Sequence, residues 1–270
     1  MLADAVAAEM FKFLRQRGGL FWGFCAAPLA VLAFNLVLDT WMSGRSPVPL
    51  TLDLGRQVVQ ALGLGGNSLF QIFYIAGAVA IFSGEYRWET WRLLTPRNSR
   101  FNLLVAKFIL YAALTGASLV ALGIAGAQHT IYAAVLGTRV AMDFGFVITA
   151  TGVFLASWAE LLVLGLVAAL LATISRAMIG PLIGTISFAF GQQMAMLILG
   201  PATAPLHWFA VFPGMSAWYV RAWLTDMEIA PGLFAHAGLA ALCGLFAAGW
   251  IIALATLTVT AFQRQDLTRE

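Results

Sequence analysis

Residues 146–173 read FVITATGVFLASWAELLVLGLVAALLAT, and a single residue in them, Glu160, is charged at neutral pH. The run is continuous rather than alternating, which favours a helix in hydrocarbon over a barrel strand. About 20 helical residues cross a bilayer core, so this run is long enough to span and to tilt or extend past it. Glu160 stands out because a carboxylate at such depth costs several kcal/mol, on the order of 3 or more, unless it is neutralised, paired or hydrated. It is a candidate for function and equally a candidate for joining two helices.

Working outward from this run, five more have the same character: Leu20–Trp41, Gly66–Ser83, Asn102–Ala127, Met178–Gly200 and Leu233–Phe262. The chain of 270 residues is 61% hydrophobic and 10% charged, against about 25% charged in a soluble domain. The expected fold is an all-α membrane protein, a single domain over residues 1–270 with six transmembrane helices. Cys25 and Cys243 both fall inside apolar runs and read as small packing residues rather than a disulfide or a metal pair. The first 19 residues lack a signal-peptide pattern, and no internal repeat is evident.

The connections predict orientation. Of 15 Lys and Arg, all but Arg45, Arg56, Arg139 and Arg221 fall on the side of the N-terminus. Basic residues concentrate in cytoplasmic loops, so both termini are expected in the cytoplasm and the chain in the cell (inner) membrane. The basic balance is then a matter of sidedness, and nucleic acid is not an expected partner. Residues 2–17 predict a separate amphipathic helix: Leu2, Val6, Met10, Phe11, Phe13 and Leu14 share one half, while Asp4, Glu9, Lys12, Arg15 and Gln16 occupy the other. The expectation is an interfacial helix over residues 1–19. Residues 201–232 combine Pro201, Pro205 and Pro213 with Trp208, Phe209, Phe212, Trp218, Tyr219 and Trp223. Proline breaks and aromatic residues at that position predict short re-entrant or surface-lying helices at the outer end, before the last span.

The most charged window is GEYRWETWRLLTPRNSRFNLLVAK, beginning at Gly84. On a helix over 85–95, Glu85, Glu89 and Arg92 form one stripe at spacings of four and three, with Trp88 and Trp91 beside it. Pro96 ends the element, and Arg97 and Arg100 form a basic patch behind it. Lys107 enters the next span and is expected to snorkel back to the interface. Acidic residues flanked by tryptophans suit a protein partner better than a lipid surface, whereas the arginines alone are explained by membrane topology.

Here Glu85, Thr90, Leu93-Leu94, Pro96, Ser99-Arg100 and Lys107 resemble the segment between the second and third spans of ABC-2 type permeases, the membrane subunits of a class of ABC exporters. The architecture is similar too: an amphipathic first helix, six spans and a broken outer segment. The family usually has Gly before the Thr, where this chain has Glu89. The resemblance implies a permease that pairs with a second permease copy and with separate ATP-binding subunits. The segment 84–101 would then be a coupling helix, with Glu85, Arg87, Trp88, Glu89, Trp91, Arg92, Arg97 and Arg100 meeting the ATPase. No GxxxxGK[ST] loop occurs in the chain, so ATP and Mg would belong to the partner, with no cofactor and no metal on this chain.

Inside the spans, Glu160, Gln192, Gln193 and Asn35 are candidates for a translocation path, with Asp39 near the outer edge. Polar residues in spans more often join helices than bind substrate. The small residues of GPLIG, 180–184, suggest close helix packing. Two rival functions follow. An ion-coupled transporter would use Glu160 as its proton site. A membrane-embedded enzyme would need a catalytic set, yet neither HExxH nor GxSxG is present, and His129, His207 and His236 lack ligand spacing. Uniformly apolar spans leave the cargo open among lipids, peptides, drugs and lipid-borne polymers.

Overall fold

The computed structural model describes residues 2–42, 51–88, 99–135, 139–141, 144–203, 208–230 and 232–265. Helix dominates them, because an apolar segment in hydrocarbon must satisfy its own backbone. Helix α1 is Leu2–Arg15. Helix α2 comprises Arg17–Leu20, a π-helical turn at Phe21–Cys25, and Ala26–Met42. Then follow α3, Leu54–Gly63; α4, Ser68–Trp88; α5, Arg100–Val135; α6, Phe146–Ser175; and α7, Ile179–Thr203. Two short helices, α8 at Trp208–Val211 and α9 at Pro213–Leu224, precede α10, Ala237–Gln263. Helices α2, α4, α5, α6, α7 and α10 are long and apolar enough to cross a membrane. The chain is a multi-pass membrane protein with six spans, and each lies where its apolar run predicts.

Burial separates the spans. The apolar stretches of α4 and α6 are 61% buried, those of α7 and α10 only 22%. The first two therefore form the centre, and the last two present their sides outward. Tyr74, Ile75, Ala78 and Val79 of α4 meet Leu161, Leu164, Ala168 and Ala169 of α6 in the main core. The crossing of α2 with α4 depends on glycine. A Cβ at Gly23 would lie 2.6 Å from the Gly77 backbone, so only hydrogen lets the two helices approach. The π turn beside it redirects a carbonyl, and the Ser118 hydroxyl of α5 donates to Phe24 O.

The connection between the first two spans is more than a loop. Asp53 caps α3 by accepting from Arg56 N at 3.2 Å. At ten residues α3 is too short to cross, so it folds back against α5 and α6. Gly126 makes this possible: a Cβ there would sit 2.3 Å from that of Ala61. A short parallel pair, β1 at Thr51–Asp53 and β2 at Arg139–Ala141, ties the two connections together. The broken segment before the last span contains α8 and α9, and α9 begins with Pro213 at its first position, where the missing N–H costs nothing. An antiparallel pair, β3 at Glu228–Ala230 and β4 at Leu233–Phe234, follows it.

Candidate functional site

Two buried polar clusters lie at opposite ends of α4. They are separated along that helix by Gln71 and Glu85, about 21 Å of axial rise. The end that holds α1 and the C-terminal end of α10 is called proximal, the other distal.

At the proximal end, Glu9 and Lys12 of α1, Glu85 of α4 and Lys107 of α5 converge. Lys107 Nζ donates to Glu9 Oε2 at 2.8 Å and to Ile81 O at 2.8 Å, and it pairs with Glu85 Oε2 at 2.7 Å. Lys12 pairs with Glu85 Oε1 in close contact and with Glu9 at 3.4 Å. Glu85 is fully buried and Lys107 is 1% exposed. Two acids and two bases balance one another, with Glu9, Glu85 and Lys107 buried and Lys12, 40% exposed, at the edge. Burial works against ionisation of Glu9, but the Lys107 and Lys12 ammonium groups outweigh it and hold its carboxyl below the usual range.

This placement corrects three expectations. Lys107 does not snorkel to the interface: two carboxylates hold it inside. Glu85 does not begin a separate helix, because α4 runs unbroken through it to Trp88. Its two carboxylate oxygens lie against Lys12 and Lys107. The polar face of α1 is likewise turned partly inward. Ala5, Glu9 and Phe13 are its buried residues, while Leu2, Met10, Phe11 and Leu14 are exposed. Arg87 and Trp88 belong to the last turn of α4. Glu89, Trp91, Arg92 and Arg97 lie outside the described residues. Arg100 opens α5 and donates to Gln265 O at 2.6 Å and Gln263 O at 3.3 Å. Tyr86 donates to Gln265 Oε1 at 3.1 Å, and Gln265 Nε2 donates to Thr173 O of α6. The two helix ends that flank residues 89–98 are thus fastened to α1, α6 and the end of α10.

At the distal end, Glu160 is paired. Arg221 Nη1 of α9 donates to Glu160 Oε2 at 2.7 Å, and Gln71 Nε2 donates to Oε1 at 2.7 Å. Arg221 also reaches Ser157 Oγ at 3.4 Å. The short helix α9 delivers Arg221 into the bundle, and Gly66 leaves room for it: a Cβ there would lie 2.1 Å from Arg221 Nη2. A cavity of about 30 Å³, the room of one water molecule, adjoins the pair and is bordered by Gln192, Gln193 and Gly214. On another side Arg221 borders a larger cavity of about 680 Å³.

The remaining polar candidates join helices. Gln192 Oε1 accepts from Gly214 N at 2.7 Å, Gln193 Nε2 donates to Gly66 O at 3.1 Å, and Asn35 Nδ2 donates to Ala125 O at 3.1 Å. Asp39 holds His129 and accepts from Gln128 Nε2 at 3.1 Å. Gly184 meets the Leu171 side chain, the close approach expected of GPLIG. Cys25 and Cys243 are free thiols. Sequence reasoning missed Arg221 as the partner of Glu160. A lone arginine beside a proline break, with one lone acid in a span, was the available signal. It also missed the inward Glu9, whose i, i+3 spacing to Lys12 reads equally well as a solvated pair.

Among the described residues no group of three or more His, Cys, Asp and Glu could hold a metal ion. The comparisons with known proteins find no match for this chain among family models, curated proteins or solved structures.

Proposed function

We propose that this six-span protein is the permease subunit of an ATP-driven ABC transporter, an exporter by its resemblance to the ABC-2 type. It would work as a pair of permeases with separate ATP-binding subunits that carry ATP and Mg. One observation supports this reading most: the fastening of both helix ends that flank residues 89–98. A push on that segment would reach Glu85 and Lys107 together. Their ion pairs pass it to α1, and the Tyr86, Arg100 and Gln265 bonds pass it to α6 and α10. A loop that only set topology would need no such bracing. In this reading Glu89, Trp91, Arg92 and Arg97 contact the ATPase, and Glu85 and Lys107 transmit the motion from within. The exposed Leu2, Met10, Phe11 and Leu14 of α1 suit a helix lying in the cytoplasmic interface. A proton-carrying role for Glu160 has less support, because Arg221 and Gln71 already occupy its carboxylate.

The test is purification of the tagged chain from its native membranes, with ATP hydrolysis measured on the eluate. Hydrolysis that co-purifies with the chain and is lost in Glu89→Lys/Trp91→Ala, while the variant keeps its thermal stability, is the expected result. Unchanged co-purification in that variant removes the assigned contact. Cargo movement by the chain alone in ATP-free vesicles removes the reading altogether.

A further inference from the structure

Gly214 stands in the first turn of α9 with an ordinary negative φ, so no backbone conformation demands glycine there. Glycine also gives up more backbone freedom on folding than alanine would. What its missing side chain provides is room, and two acceptors share that room. A Cβ at Gly214 would lie 3.0 Å from Gln192 Oε1 and 3.4 Å from Glu160 Oε1. The two oxygens come from different spans, α7 and α6. Each already accepts one bond: Gln192 Oε1 from Gly214 N and Glu160 Oε1 from Gln71 Nε2, both at 2.7 Å. A carbonyl or carboxylate oxygen carries two lone pairs, so each can accept once more. Two acceptors that face one space cannot bond each other.

The space they face is the cavity of about 30 Å³ beside the Glu160–Arg221 pair. About 10–15 Å³ suffices for one water molecule, which takes two to four polar partners. The cavity meets both conditions, because Glu160, Gln192 and Arg221 all stand on its wall. A small cation would also suit two acceptors, but the Arg221 guanidinium on the same wall repels it. The occupant that fits is uncharged, no larger than a few atoms, and able to donate twice.

We infer that this cavity binds one structural water molecule, which donates to Glu160 Oε1 and to Gln192 Oε1. It closes a link that the side chains leave open. Glu160 bonds Gln71 of α4 and Arg221 of α9, and Gln192 bonds Gly214 of α9. No hydrogen bond among the described residues runs from Glu160 to α7. The water joins α6 to α7 at that point and adds one more donor to a carboxylate held in the interior, where each unmade bond is costly. It also accounts for Gly214, since a methyl group there would take the water's place. The site goes beyond the transporter reading and does not depend on it, because it follows from contacts inside one chain.

The experiment is X-ray radiolytic footprinting of the detergent-purified chain, in which a bound water yields a hydroxyl radical that oxidises the side chain beside it. Met215 is the reporter, because it borders the cavity and is only 3% exposed. Cys243 is the reference: it is fully buried in the same apolar cluster and stands apart from that wall. Met215 is expected to oxidise several-fold faster than Cys243. Gly214→Ala is expected to bring Met215 down to the rate of Cys243. It should also lower the thermal midpoint, where the smaller entropy loss of alanine alone would raise it. Gln192→Met, similar in size but without the acceptor, is expected to slow Met215 as well. Oxidation of Met215 no faster than that of Cys243 in the unaltered chain overturns the proposal, and this comparison needs no variant. Fast oxidation that persists in both variants overturns it too, and assigns the labelling to bulk water that reaches Met215.

Discussion

The proximal and distal clusters both bury charge against α4, yet they are built differently. The proximal one holds two carboxylates and two ammoniums on three helices and is bordered by tightly packed Ile81, Phe82 and Leu104. The distal one holds a single pair, completed by the Gln71 amide, with open space on two sides of Arg221. A cluster of two acids and two bases drawn from three helices serves to fasten them. The Arg221–Glu160 pair instead lies beside a water-sized cavity, and Arg221 also borders a larger one. The same chemistry, a buried ion pair, thus joins three helices at one end and borders cavities at the other.

The contrast can be broken by removing one charge from each. Lys107→Met leaves Glu9 and Glu85 with Lys12 alone and is expected to cost about 3–5 kcal/mol, the penalty for an uncompensated buried charge. Thermal unfolding in mild detergent would show it as the largest loss of the series, with partial recovery in Glu85→Gln/Lys107→Met. Arg221→Gln is expected to cost less, about 2–3 kcal/mol, because Gln71 stays bonded and the neighbouring cavity admits water to Glu160. If the distal change proves the more damaging of the two, the contrast between the clusters is reversed. Gly66→Ala should cost about 1–3 kcal/mol by overpacking against the guanidinium. That loss should shrink sharply in an Arg221→Gln background.

Acid sharpens the same comparison. The folded protein holds the Glu9 carboxyl below its ordinary value of 4.5, so Glu9 adds stability that is present above that value. The contribution is lost as pH falls through the lower folded value. A stability profile from pH 6 downward, about the range in which carboxylates begin to titrate, should therefore drop, and Glu9→Gln should flatten it. The smallest expected effect lies away from both clusters. Asn35→Ala removes one bond between α2 and α5 and should cost about 0.6 kcal/mol, the average for such bonds within membranes.

Much of the architecture was legible in the apolar runs. Residues 146–173 predicted α6 almost to its ends, and the other five spans followed by the same rule, because hydrocarbon thickness imposes a length on any crossing helix. The short helix α3 was not legible as an inward element. Its ten residues carry both polar and apolar groups, and only Gly126 on a distant span tells where it packs. The window 84–107 was legible as unusual, but its charges belong to different assemblies. Glu85 and Lys107 turn inward, Arg100 meets the end of α10, and Glu89 to Arg97 lie outside the described residues.

Sequence alone determined that six helices cross a membrane and that a few charged side chains break their apolar surface, since transfer of a side chain into hydrocarbon depends on its own chemistry. Tertiary structure alone decided who neutralises whom: Lys107 with Glu9 and Glu85, and Arg221 with Glu160. Charge pairing acts over a few ångströms in space, and those partners stand 22 positions apart for Lys107 and Glu85, 61 for Arg221 and Glu160, and 98 for Lys107 and Glu9. No local pattern of residues records such a distance.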